Sequence, residues 1–360
     1  MNPLIVLGFA AAAAWLFSSR KDSKMPAVQQ HFQAFHNRIK LDDDDDKAKL
    51  REKRETLLKT LRAGLDVYVP TFENFNQGSY AMHTGVVPPD GNYDIDVGLI
   101  FDCTRTSYPD PVELKKKVRD ALDSKGRTVL IRRPCVTVNY MRDGETDYHV
   151  DLAIYVKRTD DKLDLAKGKE NSEAGLRTWE VSDPKGLTEA VCTAFTKTDD
   201  LAQYRRCIRY LKRWRHVQFS SGGAPLSIAL TVAALLWFKP KVESSGRPAD
   251  LMAMLDWVST ILSNFAYAST AEGLHERLQV LLPVQPRNDL MAGMTKAQMA
   301  AFKSKLAALR DALRKAYDEE LPEDACRLLN KQFGDDFKVP EKSETGKKVA
   351  PAVIGTGHSA

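Results

Sequence analysis

The chain has 360 residues, 43% of them hydrophobic, with 53 Lys and Arg against 48 Asp and Glu. That length allows one large bilobal domain or two smaller ones with a sizeable core, and the mild positive excess excludes the strongly basic classes such as chromatin or ribosomal proteins. Five scattered cysteines, at 103, 135, 192, 207 and 326, form no Cys-x-x-Cys, which argues against a zinc site or disulfide framework and for a reducing compartment.

Residues 3–17 are an apolar run of 15, followed by a short basic stretch. Three readings compete: a short membrane anchor, a signal peptide without a basic n-region, or a misassigned start with translation beginning at Met25. The last is favoured, so 1–24 stands apart as an anchor or an untranslated segment. Residues 44–65 read as a helix with an acidic start and a stripe of Leu50, Leu57, Leu58, Leu61 and Leu65. The run Pro88-Pro89-Asp90-Gly91-Asn92 breaks any helix before a strand over 93–101. A hairpin is expected around Arg142-Asp143-Gly144-Glu145, and a strand over 148–155. Residues 158–186 are polar and read as a loop-rich crossover.

Residues 187–335 read as mainly helical. Tyr204, Cys207, Ile208, Leu211 and Trp214 fall at helical spacing, with six cations between 205 and 215 that read mostly as a solvated basic face. Leu226 to Phe238 is apolar nearly all round and too short to span a bilayer, hence a buried core helix. Met252, Leu255, Val258, Ile261, Leu262 and Phe265 make one further stripe, and Met299, Phe302, Leu306, Leu309 and Leu313 another. The Pro283–Asp289 connection between the two stripes is expected to border a ligand pocket. The tail from Glu341 to Ala360 is rich in Lys, Gly, Ser and Pro and is expected to be disordered.

Within this plan one constellation carries chemistry. Gln77-Gly78-Ser79-Tyr80 is a Gly-Ser turn. About fifteen residues later come Asp94-Ile95-Asp96, and then a lone carboxylate in His149-Val150-Asp151. Residues i and i+2 of a strand share a face, so Asp94 and Asp96 can hold two Mg²⁺ ions roughly 3.5–4 Å apart, with Asp151 facing them from a neighbouring strand. An Asp-x-Asp pair by itself occurs often in loops and strand ends. The order of the whole set is the more specific signal. A loop at 220–227, containing Pro225 and Ser227, opens the apolar helix beside the cationic one, which suits a triphosphate cradle.

These motifs, with Leu211-Lys212-Arg213-Trp214-Arg215, Pro225-Leu226-Ser227 and Trp179 with Ser182-Asp183-Pro184-Lys185, resemble the cGAS/DncV-like nucleotidyltransferases (CD-NTases) over roughly residues 27–340. The similarity is greatest to the subgroup around the cholera-type cyclic GMP-AMP synthase. The resemblance implies an α+β fold with a DNA polymerase β-like core, a mixed sheet with flanking helices, and a C-terminal helical lobe across a cleft. On that reading the catalytic lobe spans 25–186, the helical lobe 187–340 and the tail 341–360.

The resemblance also implies catalysis and metal binding by Asp94, Asp96 and Asp151. Nucleotide contacts fall to Gln77, Gly78, Ser79, Tyr80, Lys212 and Ser227, with two Mg²⁺ ions or Mn²⁺ as cofactor. The substrates are ATP and a second nucleoside triphosphate, GTP by preference, joined into a cyclic dinucleotide. A product-sensing effector protein in anti-phage (CBASS-type) defence is the implied partner, with Ala360 a site of conjugation by a ubiquitin-transferase-like enzyme. No obligatory nucleic acid is implied, the location is cytoplasmic, and a membrane is involved only if residues 3–17 are an anchor. The alternative is a nucleotidyltransferase that modifies RNA, a protein or a small molecule.

Overall fold

The computed structural model describes residues 28–41, 44–89, 93–123, 127–142, 145–160, 162–219 and 222–341, and leaves out the side chains of 44–50, 93–94, 141–142 and 145–147. The apolar run at 3–17, the loop at 90–92 and the tail from 342 lie outside the described residues. The fold is α+β. Seven strands form one mixed sheet: β1 (Phe72–Asn76), β2 (Tyr93–Phe101), β3 (Arg127–Ile131), β4 (Val136–Arg142), β5 (Glu145–Lys157), β6 (Leu163–Lys167) and β7 (Thr178–Ser182). Strand order is β1-β2-β5-β4-β3, with β6 pairing the far end of β5 and β7 extending from β6. Among the described residues only β2 and β5 run parallel, and the β4–β5 hairpin pairs Arg142 with Glu145.

Side-chain alternation along β2 and β5 gives the sheet two unlike faces. Ile95, Val97, Leu99 and Phe101, with Val150, Leu152, Ile154 and Val156, are buried on one face. They pack against Leu57, Leu58 and Leu61 of α2 (Asp44–Gly64) and Leu114, Val118 and Leu122 of α4 (Pro111–Leu122). Each such side chain contributes about 1.5–3 kcal/mol by leaving water. Pro111 fills the first turn of α4, and the Asp110 carboxylate caps it by accepting from the Val112 N–H at 2.9 Å. The opposite face carries the alternate residues, apolar at one end (Ile100, Ala153 and Tyr155) and acidic at the other.

A second core is helical. It gathers α1 (Gln29–Ile39), α5 (Pro184–Cys192), α6 (Thr198–Gln218), α7 (Ser227–Trp237), α8 (Asp250–Ser263), α9 (Lys296–Asp318) and α10 (Pro322–Phe333). Although α1 precedes the sheet in the chain, its Phe32 and Phe35 pack on Tyr210 and on Phe333 and Phe337. A four-residue helix, α3 (Gly78–Ala81), follows β1. Among the described residues no helix is long and apolar enough to cross a membrane.

Three expectations need correcting. Residues 158–186 are not a loop-rich crossover: β6 and β7 lie there, because Leu163, Leu165 and Trp179 find apolar neighbours on the sheet. The helical half contains a hairpin, β8 (Ala266–Thr270) and β9 (Gly273–Arg277), whose exposed Tyr267 and Leu274 give no helical period. In α8 the buried methionine is Met254, not Met252, although Leu255, Val258 and Ile261 of that stripe are buried as expected.

Candidate active site

The carboxylates sit on the face of the sheet opposite α2 and α4. In the parallel β2–β5 ladder, Asp96 is the register partner of Asp151, and Asp94 that of His149. In the antiparallel β4–β5 ladder, Asp151 pairs with Thr137 and His149 with Asn139. Two consecutive rungs of one face therefore read Asp96–Asp151–Thr137 and Asp94–His149–Asn139 across three strands. Neighbouring strands lie about 4.8 Å apart, so the like charges of Asp96 and Asp151 repel unless a cation or donor compensates. Thr137 Oγ1 is such a donor and gives a hydrogen bond to Asp151 Oδ1 at 2.5 Å. Cys135 Sγ lies 3.6 Å from Thr137 Oγ1. An ionised carboxylate only accepts, so the Thr137 proton goes to Asp151 and the Cys135 thiol donates to Thr137. Burial pushes that thiol up to about 12, with the Asp151 charge adding to it, so it keeps its proton.

The Gly-Ser turn lies directly on this row. The Gln77 N–H donates to the Asp96 carbonyl at 3.3 Å. Gly78 has φ +66°, and a Cβ added there would stand 1.8 Å from Asp96 Oδ2, so the position needs glycine for its backbone and for the approach of the carboxylate. Tyr155, two rungs along β5, donates its hydroxyl to Gln77 Oε1 at 3.0 Å. Burial, with the Asp96 charge beside it, raises the phenol far above its ordinary value. Ser79 and Tyr80 are half-buried in α3, and the Ser79 carbonyl accepts from the Thr84 N–H at 2.9 Å.

From the other side, α6 grips the segment after the turn. Lys212 Nζ donates to both the carbonyl and Oγ1 of Thr84, each at 3.1 Å. Arg209 donates to the carbonyls of Gly85 and His83, and Arg213 to that of Val87. Arg209, Lys212 and Arg213 are buried, and Arg206 pairs with the fully buried Asp250. The basic run of α6 is therefore not a solvated face. Its cations reach carbonyls and a carboxylate in the interior, where such groups must be paired. Desolvation lowers the Lys212 ammonium to about 7, with Arg209 adding to the shift and Asp96 opposing it.

Ser227 begins α7, and the loop before it is tied back to α6 by Arg215, which donates to the Pro225 carbonyl. The structure thus brings Gln77, Gly78, Asp96, Asp151 and Lys212 together, and places Ser227 on the neighbouring helix start. The Asp94 backbone occupies its rung, but its side chain lies outside the described residues. Among the described residues no three His, Cys, Asp or Glu side chains form a metal-ligand cluster. The Pro283–Asp289 connection docks at the start of α5, where the Gln285 carbonyl accepts from the Asp183 N–H at 3.2 Å. Trp179 Nε1 donates to the Tyr108 carbonyl at 2.7 Å. Thr137, Tyr155, Arg209 and Thr84 are site residues that the motif reading missed. The alternation of Thr137 and Asn139 within β4 was the available signal for the first.

An open cavity of about 780 Å³ lies elsewhere, lined by Tyr267, Thr270, Glu272, Arg277, Gln279 and neighbours. The Arg277 guanidinium there is committed to the carbonyls of Met291 and Met294.

Residues 70–155 match the family described as cyclic GMP-AMP synthase DncV-like, nucleotidyltransferase domain. A cyclic GMP-AMP synthase from Escherichia albertii is 30% identical over 199 residues, which cover 52% of this chain and 41% of the relative. The chain thus spans less than half the length of that relative. The Vibrio cholerae DncV cyclic AMP-GMP synthase in complex with nonhydrolyzable GTP superposes with a TM-score of 0.66 at 17% identity, over 89% of this chain and 100% of that one. The Bradyrhizobium diazoefficiens CD-NTase CdnG in complex with GTP gives 0.65 at 17% identity, over 86% and 96%. These superpositions show a common fold.

Proposed function

We propose that the chain, whose residues 70–155 match the DncV-like nucleotidyltransferase domain, is a cyclic oligonucleotide synthase. It joins ATP and a second nucleoside triphosphate, GTP by preference, into a cyclic dinucleotide such as cyclic GMP-AMP. The observation that carries this reading is the rung pairing Asp96 with Asp151 beneath a turn whose Gly78 admits the carboxylate. Such a donor set fits hard divalent cations, which take carboxylate and phosphate oxygens. Asp94, Asp96 and Asp151 would hold two Mg²⁺ or Mn²⁺ ions, which when bound offset charge on the transferring phosphoryl group.

The chain's own residues position the reactants and balance charge. The N–H groups of the turn and the Ser79 hydroxyl bind phosphate oxygens. Lys212 sets positive charge behind the turn, and Ser227 holds the donor's triphosphate from the start of α7. Asp151 takes the proton of the attacking ribose hydroxyl as its oxygen bonds to the α-phosphorus and pyrophosphate leaves. The linear intermediate then turns over and is closed in the same site. On the family resemblance, the product is a messenger in anti-phage defence, made in the cytoplasm and read by a separate effector protein. Ala360 is then the point of conjugation by a ubiquitin-transferase-like enzyme.

The test is incubation of the purified chain with four ribonucleoside triphosphates and Mg²⁺, with products identified by mass spectrometry. A cyclic dinucleotide is expected, lost in the folded double variant Asp94→Asn/Asp96→Asn. Pyrophosphate released only when RNA, protein or a small-molecule acceptor is added would move the assignment to an acceptor-modifying transferase.

A further inference from the structure

The rung that carries Asp96 and Asp151 ends on a hydroxyl. Thr137 is the register partner of Asp151 on β4, is 6% exposed, and gives its proton to Asp151 Oδ1 at 2.5 Å. The last torsion of an aspartate is broad and two-fold, so a carboxylate on a strand does not by itself present its oxygens in one plane. A short hydrogen bond from a buried neighbour removes that freedom. The hydroxyl is fixed in turn: β-branching restricts the Thr137 rotamer, and the Cys135 thiol stands 3.6 Å from Oγ1 as its donor. Leu130 of β3 is the next register partner along that rung.

From this geometry we infer that Thr137 is the positioning residue of the third carboxylate. It sets the plane in which Asp151 meets a divalent cation and the attacking hydroxyl, and it relieves the repulsion between Asp151 and Asp96. The inference rests on the proposed nucleotidyl transfer for its catalytic half. Its cation-binding half is independent of which nucleotide reaction occurs. Partners that orient metal ligands in this way are worth about 10–100-fold in affinity or rate.

The experiment compares the wild-type chain with Thr137→Val, which replaces only the hydroxyl, and with Thr137→Ser, which keeps it. Thermal melting first establishes that each is folded, and Thr137→Ala substitutes for the valine variant if that one is not. Mn²⁺ alone is titrated by calorimetry, and then kcat and KM are measured with saturating metal. The expected result for Thr137→Val is an Mn²⁺ Kd raised about tenfold and kcat lowered by a similar factor. Triphosphate KM should stay within about twofold, and Thr137→Ser should recover most of both losses. Unchanged Mn²⁺ affinity and kcat in Thr137→Val would overturn the inference. So would equal losses in the serine variant, since they would trace to packing instead of the hydroxyl. If the wild-type chain forms no nucleotide product but the Mn²⁺ affinities follow this pattern, the reaction assignment falls and the positioning role stands.

Discussion

The half-buried acidic row of the sheet and the buried cationic run of α6 are built on opposite logic. On the sheet, Asp96 and Asp151 are like charges held side by side by strand register, on a face that the apolar packing of α2 and α4 leaves alone. On α6, Arg209, Lys212 and Arg213 are like charges kept apart by satisfying separate carbonyls between His83 and Val87. The first arrangement concentrates charge and invites a counter-ion. The second spends charge on backbone, and so fastens the Gly-Ser turn to the helical core. A concentrated row fits chemistry, and a dispersed one fits positioning.

The sharpest way to break this contrast is at Gly78, in the turn that joins the acidic row to the segment held by α6. Gly78→Ala puts a methyl group where Asp96 Oδ2 lies and a side chain on a left-handed backbone. The backbone cost alone is roughly 1–2 kcal/mol. Displacement of the turn from the carboxylate should lower nucleotide turnover by about a hundredfold or more. Steady-state kinetics on the folded variant checks this, and near-normal turnover would separate the turn from the chemistry.

A smaller effect is expected on the α6 side. Arg209→Met strips donors from two carbonyls and should destabilise the chain by about 2–4 kcal/mol, read as a lower urea midpoint. Unchanged stability would mean that the strap at 83–87 is held without α6.

The smallest effect concerns His36, whose Nε2 lies 3.1 Å from Arg209 Nη1. Desolvation lowers this imidazole to about 4, with Arg209, Arg206 and Lys40 adding to it and Asp250 opposing. The unfolded chain therefore binds a proton there before the folded one does. The contribution of the neutral ring is present above about 6.5 and is lost as pH falls toward 4. Between pH 7 and 4.5 the wild-type melting temperature should drop further than that of His36→Gln, and parallel curves would refute the assignment.

The same contrast explains what could be read in the sequence. Strand parity is local, so the alternation around Asp96 and Asp151 was enough to put those two residues on one face. The stripe at Leu57, Leu58 and Leu61 was equally legible, because an exposed helix with one buried face has a period. The cations of α6 were misread for a definite reason. Periodicity separates apolar from polar positions, but it cannot tell a solvated arginine from one whose partners are carbonyls more than 120 residues away. Thr137 was missed because its importance comes from a register partner on another strand. β6, β7 and the β8–β9 hairpin were missed because five-residue strands carry too few alternations to stand out from loops.

The most direct test of the central claim is to locate a metal. Crystals of the chain grown with Mn²⁺ and a nonhydrolyzable nucleoside triphosphate would be measured for anomalous scattering. Peaks are expected beside Asp96 and Asp151, under the Gly78 turn. Peaks only at other carboxylates, with nucleotide bound away from that turn, would contradict it.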